Sequence, residues 1–184
     1  MISTDRLIFN EDNVVRARQA EYAKQWSEMH IVVFTGTGFS EQSIGPNCWI
    51  YPTNSFTQLM YSLDAIRLGK FISRRRGITH VTCQDPFLTG MVGVHLKKSL
   101  GLNLELQLHT DIASPKFNHS VPNGIRKFLA LSYLPKADSI RVVSNRIKEY
   151  LVKKLAIDEN KIYVKPIPVD IEWIRKAPIT AAGI

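Results

Sequence analysis

The chain has 184 residues, of which 45% are hydrophobic and 22% are charged, and its net charge is +8. This length and composition indicate one globular domain and exclude the disordered and collagen-like classes. The longest stretch without a charged side chain, residues 42–63, is interrupted by Gly45, Pro46 and Pro52, so no membrane-spanning helix is predicted.

The first half of the chain alternates between strand and helix patterns. A short strand is predicted at residues 1–4 and a helix at 14–28, followed by strands at 30–35 and 48–51. The run at 30–35 is continuously apolar, which is typical of a buried parallel strand. The helix at 14–28 has four expected buried positions, namely Val15, Ala20, Ala23 and Trp26.

The clearest helix pattern covers residues 56–75. Its large apolar side chains recur close to the 3.6-residue helical period, which predicts an amphipathic helix. These side chains are Phe56, Leu59, Met60, Leu63, Ile66 and Phe71.

The second half repeats the alternation of strands and helices. Strands are predicted at 79–83, 102–109, 139–143 and 161–165. Helices are predicted at 86–100 and 124–134, and a third follows Ser144.

Polar residues mark the expected starts of these three helices. Asp85 precedes Pro86, and an aspartate cap before a proline at the first helical position is a common helix start. Asn123 and Ser144 are the expected caps of the other two helices. The last helix carries apolar residues on one face, namely Ile147, Leu151 and Leu155.

Strands that alternate with helices pair in parallel through right-handed crossovers. We therefore predict an α/β fold with a doubly wound, mostly parallel, Rossmann-like sheet and helices on both faces. The segment 102–109 departs from this pattern, because apolar and polar residues alternate strictly along it. Either one face of that strand is exposed to solvent near its ends, or Glu105 and Gln107 have polar partners under a helix.

The two cysteines, Cys48 and Cys83, lie near the ends of predicted buried strands. Neither has the spacing of a zinc site or a disulfide framework. We interpret both as reduced core thiols of a cytoplasmic protein.

Polar side chains follow several of the predicted strands. In open parallel sheets, ligands bind beyond the carboxyl ends of the strands, so these residues are candidates for a site. Asp85 and Ser144 are also explained by helix capping, whereas for His109 and Asp111 a functional and a structural role are equally well supported. The candidates at the carboxyl ends are Asp5, Arg6, Gln84, Asp85, His109, Asp111, Ser144 and Arg146, and Arg16 lies on the first helix.

A series of motifs resembles the N-terminal domain of family 4 glycosyltransferases. The series covers nearly the whole chain in order and with natural spacing. Its parts are the segment 84–87 with Gly90 and Gly93, the segments 108–111 and 137–144, and the segments 161–162 and 166–170.

The resemblance implies a two-domain enzyme of the GT-B type, which is retaining and uses a nucleotide-sugar donor as co-substrate, with no metal or other cofactor expected. The N-terminal domain of this family receives the acceptor, and the C-terminal domain binds the donor. His109 corresponds to a histidine near the reacting sugar, and Asp111 is a polar partner for sugar hydroxyls. Acceptor contacts are expected at Asp5, Arg6 and Asp85, and Arg16 could meet an anionic acceptor or a lipid phosphate.

The same resemblance predicts the domain organisation. Residues 1–168 form the Rossmann-like domain, 169–184 begin an interdomain linker, and the donor-binding domain is absent. We therefore expect this chain to be inactive alone and to need that domain in cis or in trans. Apolar surface left exposed without it could also drive self-association.

The positive charge favours an anionic partner. With the resemblance, it predicts a cell-envelope or lipid-linked glycan acceptor and a cytoplasmic enzyme at the inner face of the plasma membrane. Nucleic acid is not expected, because aromatic residues are not interleaved with the basic ones. A second interpretation is a non-catalytic Rossmann-like module that binds an anionic glycan, a lipid headgroup or a protein.

Overall fold

The computed structural model describes residues 1–115, 117 and 120–166. These residues form an eight-stranded sheet in the order β3-β4-β2-β1-β5-β6-β7-β8, in which all pairs are parallel except β3 with β4. The short antiparallel β3 is not apparent in the sequence pattern. The strands are β1 Ile2–Ser3, β2 Met29–Val33, β3 Gln42–Ser43, β4 Cys48–Pro52, β5 His80–Cys83, β6 Asn103–Leu108, β7 Ser139–Val142 and β8 Ile162–Val164.

Helices cover both faces of the sheet. The helices α2 to α5 contribute to one apolar core, and α1 packs on the opposite face, where Ala23 lies among Ile31 and Val33. This arrangement confirms the predicted doubly wound, mostly parallel, Rossmann-like fold. The helices are α1 Val14–Ala23, α2 Tyr61–Arg76, α3 Leu88–Leu100, α4 Val121–Tyr133 and α5 Asn145–Leu155.

Helix α1 ends at Ala23, five residues before the predicted end at residue 28. The Asn47 side-chain amide donates to the carbonyl oxygens of Ala23 (2.8 Å) and Trp26 (2.7 Å). Asn47 thus provides hydrogen-bond donors for carbonyls at and just beyond the helix end, which have no partner within the helix. The predicted burial of Trp26 is wrong, since this residue lies beyond the helix end and is 56% exposed.

Helix α2 has the predicted period and Ile66 packs against the core, but most of the other apolar side chains of the predicted stretch face solvent. The helix begins at Tyr61 after a short 3₁₀ helix, Gln58–Met60. Its buried side consists of small residues and Ile72, because α2 packs closely on α3: a Cβ on Gly69 would lie 2.9 Å from Leu96 Cδ1. The apolar side chains with more than half of their surface exposed are Phe56, Leu59, Leu63 and Phe71.

The caps of the next helices differ in part from the prediction. Helix α3 begins at Leu88 rather than at Pro86, and α4 begins at Val121 because Ser120, not Asn123, is its cap. The Ser120 hydroxyl accepts the Asn123 backbone N–H at 3.4 Å. The predicted cap of α5 is confirmed, since Ser144 Oγ accepts the Ile147 N–H, also at 3.4 Å.

Helix α3 lies unusually close to the sheet at Gly93. A Cβ at this position would overlap the Cys83 sulfur and would lie 2.7 Å from Leu104 Cδ1. Both cysteines are free and buried, as predicted. Burial raises the pKa of the Cys48 thiol to about 11 and raises that of Cys83 further.

Within the described ranges, none of the helices combines the length and the apolar character that crossing a bilayer requires.

Candidate active site

The carboxyl ends of β1 and β5 are joined by a short chain of hydrogen bonds. The buried Ser3 hydroxyl donates to Gln84 Oε1 at 2.7 Å and accepts the Asp5 backbone N–H at 3.0 Å. One Asp5 carboxylate oxygen accepts the Leu7 N–H at 3.1 Å and so caps a short 3₁₀ helix. Two predicted site residues, Asp5 and Gln84, are therefore placed by the same buried hydroxyl.

Asp85 lies at the turn into α3. Its carboxylate accepts the Phe87 N–H at 2.8 Å, and the Thr89 hydroxyl donates to its backbone carbonyl at 2.8 Å. Burial raises the pKa of Asp85 above the ordinary aspartate value despite these contacts. The predicted capping role is wrong, because the N-cap of α3 is Phe87 and the Asp85 carboxylate instead closes a turn just before the helix. A contact with the acceptor stays a prediction.

His109 follows β6 and contacts Gln107, with 3.1 Å between His109 Nε2 and Gln107 Oε1. The Gln107 amide nitrogen donates to Thr82 Oγ1 (3.1 Å) and Glu105 Oε1 (3.2 Å), which orients the Gln107 oxygen toward the imidazole. His109 Nε2 is therefore the donor, and its Nδ1 is left as an acceptor.

The surroundings of His109 disfavour the positively charged form of its imidazole. Partial burial lowers the pKa of this imidazole, and the nearby guanidinium groups of Arg141 and Arg18 lower it further. A neutral imidazole with a free acceptor nitrogen can receive a hydrogen bond from a hydroxyl group.

Asp111 and Arg146 form an ion pair across the carboxyl ends of β6 and β7. Arg146 Nη2 lies 3.0 Å from Asp111 Oδ2, and Asp111 Oδ1 accepts the Ala113 N–H at 3.0 Å. The structure thus brings these two predicted residues together, with Arg146 in the first turn of α5 behind the Ser144 cap.

The two other predicted arginines form hydrogen bonds within the protein. Arg6 donates to the Phe34 carbonyl (3.0 Å) and to the Tyr61 hydroxyl (2.7 Å). Arg16 donates to Gln42 Oε1 at 2.6 Å and to the carbonyls of Ile8 and Ser43, both at 3.2 Å. These contacts support structural roles, and the predicted contacts with an acceptor remain predictions.

A cavity of about 1470 Å³ opens beside these residues. It extends from the carboxyl edge over the sheet face that looks toward α1, where Ala17 and Arg18 line its opposite wall. The predicted site residues that line it are Asp5, Gln84, Asp85 and His109.

The sequence agrees with one protein-family model over most of its length. The model describes Glycosyltransferase Family 4 and matches residues 14–173. The chain belongs to glycosyltransferase family 4. Among curated proteins, no sequence matches this family 4 domain.

Solved structures similar to the family 4 domain include sucrose-phosphate synthase from Thermosynechococcus elongatus. That structure has a TM-score of 0.63 and 16% identity, over 95% of this chain and 92% of its own. UDP-GlcNAc 2-epimerase from Methanocaldococcus jannaschii has a TM-score of 0.54 and 14% identity, over 89% of this chain and 43% of its own. At such identities the likeness concerns the fold alone, which is that of a Rossmann-like GT-B domain.

The family 4 domain also carries a row of polar side chains that the motif comparison did not single out as site residues. Glu105 accepts from Thr82 on β5 (2.7 Å) and from the Tyr163 hydroxyl on β8, and Arg141 on β7 lines the same cavity wall. The alternation along 102–109 was the signal for this row. Glu105 and Gln107 do have polar partners, but these lie on β5 and β8 and face the cavity rather than a helix.

In the part of the chain that the structure describes, no three His, Cys, Asp or Glu side chains lie close enough together to hold an ion.

Proposed function

We propose that this domain binds the acceptor in a retaining transfer from a nucleotide-sugar donor, and that the acceptor is a cell-envelope or lipid-linked glycan. The proposal rests on the polar side chains found together at the carboxyl edge of the sheet in a family 4 chain. There, a neutral His109 with a free acceptor nitrogen stands two residues from Asp111, which is paired with Arg146.

These groups suit an acceptor with several hydroxyl groups. His109 Nδ1 can accept a hydrogen bond from one hydroxyl, and the Asp111 carboxylate can accept another. Arg146 supplies a positive charge at the N-terminus of α5, where anions are favoured. In a front-face reaction the leaving diphosphate assists the acceptor hydroxyl, so these residues orient the acceptor without serving as the base.

Transfer requires donor and acceptor to be held together in a reactive geometry, and that alignment supplies a large part of the rate. A domain that binds only the acceptor should therefore give little or no turnover. We propose that activity depends on a donor-binding domain, supplied in cis or in trans, and that the enzyme works at the cytoplasmic side of a membrane.

The test is an assay of donor hydrolysis and sugar transfer across a panel of nucleotide sugars, with and without a family 4 donor-binding domain. We expect activity only when that domain is added. Transfer by the chain alone would contradict the predicted inactivity, and silence in both arms would favour a non-catalytic binding module.

In the active arm, His109→Ala should lower kcat by roughly a hundredfold, which is typical when a positioned polar group is removed from a reacting centre. The matched control is His95→Ala, because His95 is also exposed but lies in the middle of α3. Equal activity of the two variants would remove His109 from the proposed site.

A further inference from the structure

The outer side of the segment 56–75 combines exposed apolar and basic side chains in one stripe. Within α2, Leu63, Arg67, Lys70 and Arg74 follow one another at spacings of three or four residues, so they share one face, and Leu59 lies in the 3₁₀ helix just before it. Leu59 is 92% exposed and Leu63 is 61% exposed. Contiguous exposed apolar side chains are a common feature of protein and membrane interaction sites.

Charge and apolar character are separated along this stripe. Its N-terminal end is apolar, since Phe56 (87% exposed) and Leu59 precede α2 and Leu63 lies in the first turn of that helix. Its C-terminal end is a shallow groove lined by Phe71 and four cationic side chains, Arg67, Lys70, Arg74 and Arg75.

The cations at this end have few acidic partners. Arg67 lies 3.7 Å from Asp64, and the Arg75 guanidinium lies over the Phe71 ring at 5.4 Å. Among the described carboxylates, none pairs with Lys70, Arg74 or Arg75. A groove with such a surplus of positive charge complements anionic headgroups.

We propose that this surface, formed by Phe56, Leu59, Leu63, Arg67, Lys70, Phe71, Arg74 and Arg75, docks the domain on an anionic lipid bilayer. The apolar end enters the boundary between headgroups and acyl chains, and the basic groove binds the lipid phosphates. The small residues and Ile72 on the buried side hold the helix to α3, so docking needs no unfolding of α2. The proposal rests on the proposed work of the enzyme at a membrane and names the surface for it, and its test uses no sugar donor, so it can fail separately from glycosyl transfer.

The test is cosedimentation of the full chain with vesicles of phosphatidylcholine alone or mixed equally with phosphatidylglycerol. We expect binding to the mixed vesicles only, and weaker binding at high salt. Equal binding to both vesicles, or no binding to either, would overturn the proposal.

Two pairs of variants separate this surface from the overall charge and hydrophobicity. Arg74→Glu with Arg75→Glu should weaken binding at least tenfold, whereas Lys153→Glu with Lys154→Glu, also in a last helical turn, should change it less than twofold. Phe56→Ser with Leu59→Ser should also weaken binding at least tenfold, against little change for Val121→Ser with Phe128→Ser on α4.

Circular dichroism of each variant establishes that it is folded. Equal loss in a surface pair and in its control pair would show that only total charge or hydrophobicity matters. Unchanged binding in the Phe56 and Leu59 variant, with conversion of a dimer to a monomer, would assign the surface to self-association. Either result would overturn the proposal.

Discussion

The pKa of His109 is lowered by partial burial and by two nearby cations, and this shift can be measured without any assay of activity. Replacing Arg141 by Gln removes one of the cations, so the pKa of His109 should rise. In NMR titrations of the wild-type chain, we expect the His109 ring to titrate below the ordinary value of 6.5.

A His109 pKa that stays constant in the Arg141→Gln variant would mean that burial alone sets it, and the proposed influence of Arg141 would then be wrong.

Asp85 has a raised pKa because it is buried, so the folded state binds its proton more tightly than the unfolded state does. The associated stability is fully present below the ordinary aspartate pKa of 3.8 and is lost as the pH rises through the native pKa. Asp85→Asn keeps an oxygen that can accept the Phe87 N–H but has no charge to bury.

We therefore expect Asp85→Asn to become progressively more stable than the wild-type chain as the pH rises above 3.8, until Asp85 is fully ionised. Thermal unfolding of both proteins at several pH values measures this difference. A stability difference that shrinks with rising pH would show that the hydrogen bonds to the carboxylate outweigh its burial.

At the scale of elements, the contact between α3 and the sheet depends on one missing side chain. Gly93→Ala would place a methyl group against the Cys83 sulfur and Leu104, and overpacking of this kind costs roughly 1–3 kcal/mol. Gly124→Ala in α4 is the matched control, because a Cβ there meets nothing within 4 Å. That change should leave the free energy of unfolding unchanged or raise it by up to about 1 kcal/mol.

Chemical denaturation of both variants gives the two free energies. Equal stabilities would mean that α3 can shift away from the sheet at little cost. In that case the close approach at Gly93 would not be a determinant of the fold.

Helix α2 shows which part of the fold could be predicted from the sequence. The 3.6-residue period correctly predicts a helix, since the period reflects backbone geometry. The period does not identify the buried side, because that side is determined by packing against α3. Gly69 faces Leu96, while Leu63 and Phe71 face solvent. Tertiary contacts thus overrode the local hydrophobic pattern.

The candidate site could likewise be predicted only in part from the sequence. The ends of the strands could be located from the sequence, and with them His109, Asp111 and Arg146, because the carboxyl ends of parallel strands meet at one edge. The Asp111–Arg146 pair and the contacts of Arg16 could not be predicted, since they depend on side-chain directions across separate elements. The predicted linker, residues 169–184, lies entirely outside the described residues.

At the scale of the whole molecule, the two sides of the sheet are joined by a very short central strand. Strand β1, Ile2–Ser3, lies between β2 and β5 and pairs with both. Ile2 is 2% exposed, so Ile2→Ala should lower the free energy of unfolding by about 2–5 kcal/mol. Because β1 links the two sides of the sheet, the amides of β2 and β5 should exchange faster with solvent deuterium.

Leu63→Ala is the control for this prediction, since Leu63 is exposed and its truncation should change stability by less than about 0.5 kcal/mol. Hydrogen exchange measured by mass spectrometry follows both strands. Faster exchange confined to one side of β1 would show that the two parts of the sheet are stabilised independently.

The polar row of Thr82, Glu105, Gln107 and Tyr163 joins segments that are far apart in the chain. Tyr163 on β8 donates to Glu105 on β6, 58 residues earlier, and Thr82 on β5 contacts both Glu105 and Gln107. Contacts at such separations form only after the intervening chain has been ordered. Closure of this row is therefore a signal that the last described strand has joined the sheet.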